Sequence, residues 1–132
     1  MIDFIKAHGT ENDFVILMDE ATQVKLTEDR VRHLADRRAG IGGDGVIRIA
    51  TGDALVSAGV LTELPAGVHG DEWFMDYRNA DGSLAEMCGN GVRAFAHVLC
   101  RQGKVTVGEQ FGIGTRAGRK LVKVHELSGE NP

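Results

Sequence analysis

The sequence predicts an α+β domain in which a curved sheet or barrel wraps a central helix. Three observations carry this. The chain has 132 residues, enough for one domain with a real core. Within residues 92–101, Val92, Ala94, Phe95, Ala96, Val98, Leu99 and Cys100 cover nearly the whole circumference of a helix, leaving only Arg93, His97 and Arg101 polar. A helix apolar all round must be buried on most sides. Strand-like segments precede and follow it, so the simplest packing curves them around it.

The elements follow in order. Ile2 to Ala7 reads as a first strand, and His8 to Asp13 as a polar loop containing a glycine. Phe14 to Met18 is a continuous apolar run, as in a buried strand. Thr27 caps a helix with Glu28 and Asp29 in its first turn and Val31, Leu34 and Ala35 at helical spacing, and Gly40 ends it. The glycine cluster from Gly40 to Gly45 precedes a short strand, Val46 to Ile49. It lacks the strand-to-helix context of a dinucleotide fingerprint and the Gly-Lys-Ser/Thr ending of a phosphate loop. A flexible turn and a glycine-lined site wall both stay open for it.

Residues 51–70 show weak periodicity and receive no element. Glu72 to Arg78 alternates as a strand, and Asn79-Ala80-Asp81-Gly82 has turn chemistry. Glu86 to Gly91 reads as a loop and Val92 to Arg101 as the helix. Lys104 to Phe111 and Lys120 to Leu127 read as strands separated by Gly112 to Arg119.

Composition narrows the function. Lys plus Arg number 15 against 19 Asp plus Glu, a net charge of −4, which is no nucleic-acid footprint. Arg37-Arg38 and Arg116 to Lys120 read as solvated surface. No apolar stretch approaches the ~20 residues of a membrane span, and Met1 to Lys6 is too short and too charged for a signal peptide. Two cysteines twelve apart in such a chain point to free thiols in a reducing cytoplasm.

Cys88 lies where a loop of small residues enters the apolar helix. It is either a small hydrophobe or a thiol tuned by the helix end, where unpartnered N–H groups and the macrodipole lower the thiol pKa from its usual ~8.5. The flanking Gly89-Asn90-Gly91 lets backbone amides crowd a bound anion such as a carboxylate. Asn79 and Asn90 each offer a donor and an acceptor, suited to a zwitterionic amino acid, although turn or cap roles fit each of them too. His97 and Cys100, three apart, come without Cys-x-x-Cys or His-Glu-x-x-His, so no zinc site is expected. Cys100 reads as a buried hydrophobe and His97 as a packed, hydrogen-bonded core residue. His8 is available to a nucleophilic cysteine, but no spacing ties it to Cys88.

Four stretches, AHGTENDFVIL, RRAGIGGDGV, MDYRNADGS and AEMCGNGVRAFAHVL, occur in this order. Together they resemble the amino-terminal half of the diaminopimelate epimerase family, in its actinobacterial form, over essentially the whole chain. The resemblance implies a pair of similar α/β domains, each a sheet rolled around a helix. It implies epimerisation of LL- to meso-diaminopimelate, on the route to lysine and peptidoglycan precursors, without pyridoxal phosphate, metal or any other cofactor. Two cysteines would flank the substrate α-carbon, and Cys88 matches one of them. Asn12, Asn79, Gly89 and Asn90 match substrate-binding positions.

Two departures accompany the match. A glutamine that contacts substrate in some members is Gly45 here, so that contact is lost or supplied elsewhere. Residues 1–132 correspond to the amino-terminal domain only, with the carboxy-terminal domain and its cysteine absent. The expected partners are therefore diaminopimelate and the carboxy-terminal half of the same enzyme, with a homodimer left open and neither nucleic acid nor membrane. The chain alone is expected to be inactive. Competing readings are a proline racemase-like enzyme, which also pairs cysteines, and a non-catalytic binding or assembly module.

Overall fold

The computed structural model describes residues 4–8, 13–38, 40–84 and 89–125. They form one six-stranded sheet and three helices: β1 (Phe4–His8), β2 (Asp13–Leu17), α1 (Glu28–Ala35), β3 (Gly45–Thr51), α2 (Gly52–Ser57), β4 (Trp73–Asn79), α3 (Gly89–Arg101), β5 (Gln110–Thr115) and β6 (Gly118–Lys123). Spatial order equals chain order, β1 to β6, as an open sheet. Neighbours alternate: β1–β2, β3–β4 and β5–β6 are antiparallel, while β2–β3 and β4–β5 are parallel. Each parallel step carries a helix in its connection, as such crossovers require.

The expected α+β architecture around a central helix is what the structure has. The inner face of the sheet gives Ala7, Phe14, Ile16, Ile47, Ile49, Met75, Tyr77 and Ile113 to one core with α3, whose Ala94, Phe95, Ala96, Val98, Leu99 and Cys100 are buried against it. The outer face is covered by the other two helices. Val15, Leu17 and Val46 pack with Val31 and Ala35 of α1, and Ala50 and Phe74 pack with Leu55 of α2. The central strand β3 is therefore buried on both faces, which is why its sequence is nearly continuous in apolar residues.

Caps set the helix starts. Thr27 accepts from Arg30 N at 3.1 Å to open α1, and Thr51 accepts from Ala54 N at 3.2 Å to open α2, each satisfying one otherwise unpaired N–H. The end of α1 differs from expectation. The helix stops at Ala35 with Asp36 as its cap, and the glycine cluster folds back over it. Ile41 N and Gly42 N donate to Leu34 O, and Gly43 N donates to Ala35 O. A side chain at Gly40 would collide with His33 O, at 1.8 Å, so glycine is required there by close approach rather than by a helix stop.

Three other expectations are corrected. Residues 51–70, left without an element, contain α2. Helix α3 begins at Gly89 rather than Val92; two glycines cost roughly 1 kcal/mol each by propensity, but burial of the helix outweighs that. Residues 104–109 are turns rather than strand, and β5 runs instead through Gly112 and Gly114. Those glycines belong to the strand because side chains would clash. A Cβ at Gly114 would meet Phe74 at 2.7 Å and Val68 at 2.8 Å, and one at Gly112 would meet the Arg119 guanidinium at 2.5 Å.

The outer face also buries charge. Asp76 is wholly buried on β4, opposite Arg48 of β3. Its carboxylate accepts from Arg116 Nη2 at 2.7 Å and Arg78 Nε at 3.1 Å, and Arg48 Nε lies 3.1 Å away. Arg116, read as solvated surface, thus has its guanidinium on a buried acid. Arg119 likewise donates to both oxygens of Glu72, at 2.7 and 2.8 Å.

Candidate active site

The sheet registers bring the loops of interest to one end. His8 pairs with Asp13, Phe14 with Gly45, and Gly45 with Asn79, so the end of β1, the starts of β2 and β3 and the end of β4 form one row. The direction of α3 follows from its far end. Lys104, just past the helix, pairs with Glu20 at 2.8 Å and stacks 5.5 Å above the Trp73 ring. Glu20 follows β2 and Trp73 begins β4, so both mark the opposite end of the sheet. Thirteen helical residues span ~18 Å and seven strand residues ~20 Å. The first turn of α3 therefore returns to the end where Asn79 lies, bringing the positive end of the helix dipole there.

Of the sequence-derived candidates, the structure places Asn79, Gly89 and Asn90 at this end. The backbones of Gly89 and Asn90 form the opening of α3. Asn12 and Cys88 lie outside the described residues; each is the chain neighbour of a residue in this row or in this helix turn. Asn79 is tied into its turn: its Nδ2 donates to Ser83 Oγ at 3.0 Å and its carbonyl accepts from Gly82 N at 2.9 Å. Asp81 Oδ1 accepts from both Ser83 N and Ser83 Oγ, and Arg32 of α1 reaches Asp81 O at 3.2 Å. The turn chemistry read from sequence is real, and it fixes Asn79 at the strand end.

An ionic staple that sequence reading did not find joins the first residue of β2 to the turn before β3. Asp13 N donates to Asp44 Oδ2 at 3.0 Å, and Asp44 N donates back to Asp13 O at 2.8 Å. Arg37 Nη1 and Nη2 donate to the two oxygens of Asp13 at 2.9 and 2.8 Å, and Lys6 reaches both Asp13 and Gly42 O. The Arg37 fork holds the Asp13 carboxyl well below the usual carboxylate range, against the opposing effect of burial, with help from Lys6 and Asp44. Arg37 is exposed, as expected, but it is no idle surface charge, because it clamps the residue that follows Asn12. The signal lay in Asp13, an acid opening an apolar strand.

Gly45 is explained by Tyr77. A Cβ at position 45 would sit 2.4 Å from Tyr77 Cε1 and 2.9 Å from Arg78 O. The Tyr77 ring, buried and edge-on to Phe14 at 5.9 Å, leans two residues along the sheet from its own partner, Ile47, into the space that a side chain there would fill. Replacing Gly45 by alanine should cost about 1–3 kcal/mol through overpacking. Urea unfolding of Gly45→Ala checks this, and adding Tyr77→Leu should recover part of the loss by coupling.

The remaining candidates separate clearly. Cys100 is 8% exposed, and burial pushes its thiol up, as for the inert hydrophobe expected. His97 is half-buried, and its Nδ1 is buried without a hydrogen-bond partner among the described residues, unlike the hydrogen-bonded core histidine expected. The reason is its place beside an open groove rather than inside the core. Burial, with Arg101 and Arg93 nearby, pushes its imidazole down. No helix among the described residues is long and apolar enough to cross a membrane.

Comparison with known proteins shows the family. The sequence profile described as diaminopimelate epimerase matches residues 4–130. The chain belongs to the diaminopimelate epimerase family. It is 57% identical over 128 residues to the diaminopimelate epimerase of Rhodococcus opacus, covering 97% of this chain and 44% of that protein. Its likeness to the Rhodococcus jostii epimerase is 56% over 128 residues, covering 97% of the chain and 44% of the relative. The Mycobacterium avium epimerase is 55% identical over 122 residues, covering 92% and 41%. The chain therefore spans less than half the length of these epimerases, matching their amino-terminal part.

Proposed function

We propose that this chain is the half of a diaminopimelate epimerase that supplies one of two proton-transferring cysteines. The observation that carries the proposal is the meeting, at one end of the sheet, of the Asn79 turn, the row from His8 to Gly45, and the positive end of α3. Cys88 is one peptide unit from the first residue of that helix, ~3.8 Å between Cα atoms. Partial positive charge there favours the thiolate.

In this reading the Cys88 thiolate takes the α-proton of diaminopimelate and the electron pair stays on carbon, conjugated with the carboxylate. A second thiol on the carboxy-terminal half then protonates the opposite face and becomes the thiolate. No cofactor enters the reaction. Asn12, Asn79 and the Gly89-Asn90 backbone bind the substrate's amino and carboxylate groups. Thiols kept reduced for this chemistry place the protein in the cytoplasm.

Inversion needs groups on both faces, because a single thiol returns the proton to the side it left. The partner half therefore has to come against this end. A groove of about 440 Å³ beside α3 and β6, lined by Val92, Ala96, His97, Val122 and Val124, supports the idea that further chain packs there. The test is α-deuterium incorporation and epimer formation from diaminopimelate in D₂O. The chain alone should form no epimer, and a polypeptide carrying both halves should form it. Robust epimerisation by the chain alone would overturn the two-cysteine reading.

A further inference from the structure

On the outer face of the sheet, away from Tyr77 and α3, a cavity of about 410 Å³ opens between the loop after β2 and the end of α2. That volume lies in the ~300–1,000 Å³ range of small-molecule pockets. Arg48 and Arg78 line it together with Lys25, and no carboxylate does among the described residues. Around it, the guanidiniums of Arg48, Arg78 and Arg116 face two carboxylates among the described residues, those of Asp76 and Asp19. One positive charge is left over, and exposed Lys25 adds a second at the rim.

Arg48 is the least satisfied of the three. Its side chain is 1% exposed, yet its Nε makes no hydrogen bond among the described residues. Asp76 Oδ2 is close, at 3.1 Å, but lies off the direction of that N–H, and Asp19 is 3.6 Å from Nη1. Asp19 in turn is occupied by the amides of Gln23 and Val24, at 2.8 and 2.9 Å. A buried guanidinium without full hydrogen bonding is costly, and a ligand carrying acceptor oxygens would relieve it.

We propose that this cavity binds a small dianionic phosphate group, free or on a small organic molecule, held by Arg48, Arg78 and Lys25. Arg78 already donates to Asp76 and to Leu26 O, so the anion would share these guanidiniums with Asp76 and take its remaining contact from the Lys25 ammonium. A tetrahedral oxyanion, which accepts from several directions at once, suits such a set. Burial already weakens the charged form of Arg48, and the nearby Arg78 and Arg116 cations act in the same direction, against the attraction of Asp76 and Asp19. An added anion opposes that weakening. The site lies on the face of the sheet opposite the α3 core, so it stands or falls independently of the epimerase reading.

Calorimetric titration and thermal unfolding of the purified chain test it, with inorganic phosphate, glycerol phosphate and malonate compared against sodium chloride at equal ionic strength. Phosphate should bind saturably and raise the melting temperature, whereas chloride should not. Tighter binding of glycerol phosphate than of inorganic phosphate would assign the group to an organic carrier; the reverse order would assign it to the free ion. Lys25→Glu, an exposed change that leaves the core intact, should weaken phosphate binding about tenfold or more. Unsaturable stabilisation equal to that by chloride, stronger binding of malonate than of phosphate, or unchanged affinity in Lys25→Glu would each overturn the proposal.

Discussion

Replacing Cys88 by alanine in a polypeptide that carries both halves of the enzyme should lower kcat at least about 10²–10⁴-fold, the usual worth of a positioned acid or base, with substrate binding largely kept. The expectation follows from division of labour. In the proposed reaction the asparagines would hold the substrate's charged groups before and during proton transfer, and helix amides on the carboxylate would also meet the charge it gains as the carbanion forms, so their loss would fall on KM and kcat together. In the same proposed reaction the thiol would meet the proton only as it leaves carbon, so its loss would fall on kcat alone. Cys88→Ser should fall nearly as far, because a hydroxyl far less acidic than the thiol stays protonated beside the same helix end. Cys100→Ala offers the contrast: it should cost stability, as a buried residue does, and leave kcat unchanged. Steady-state kinetics of the three variants check this. Substantial activity in Cys88→Ala would remove the assignment.

Removing the Asp76 carboxylate should have the largest effect on stability, about 3–5 kcal/mol, because it leaves the guanidiniums of Arg48, Arg78 and Arg116 without their shared counter-ion. Chemical denaturation of Asp76→Ala measures it. The pH dependence has a definite sign. Burial alone would raise the Asp76 carboxyl, but Arg78, Arg116 and Arg48 together pull it below the usual range. The folded carboxyl thus stays ionised at pH values where the unfolded one, near ~3.9, takes up a proton. Its contribution is complete above that value and is lost as pH falls below it. Wild-type stability should drop steeply on the acid side, and Asp76→Asn, already weakened, should show a shallower fall over the same range.

Much of the fold was legible because a few patterns are hard to satisfy otherwise. The all-apolar surface of residues 92–101 demanded a buried helix, and Phe14 to Met18 and Val46 to Ile49 demanded buried strands. What escaped was set by distant partners. Gly112 and Gly114 look like loop residues until Arg119, Phe74 and Val68 close over them. Arg116 looks solvated until Asp76, alone in an apolar strand, is seen to need a cation. At the site, the pairing of Asp13 with Arg37 and the filling of the Gly45 position by Tyr77 depend on contacts 24 and 32 residues apart along the chain. Local chemistry fixed only the Asn79 turn; that α3 begins at the same end of the sheet follows from the contacts of Lys104 with Glu20 and Trp73 at the other end.

Spatial order equal to chain order carries a consequence for biosynthesis. Each strand lies against the one made just before it, so a nascent chain leaving the ribosome can lay down the sheet from one edge without waiting for distant sequence. Growth is vectorial: the outer helices α1 and α2 can seal their side as they emerge, whereas the inner face stays open until α3 arrives after the fourth strand. Until then the exposed apolar concavity is the stretch of synthesis at which a chaperone has most to shield.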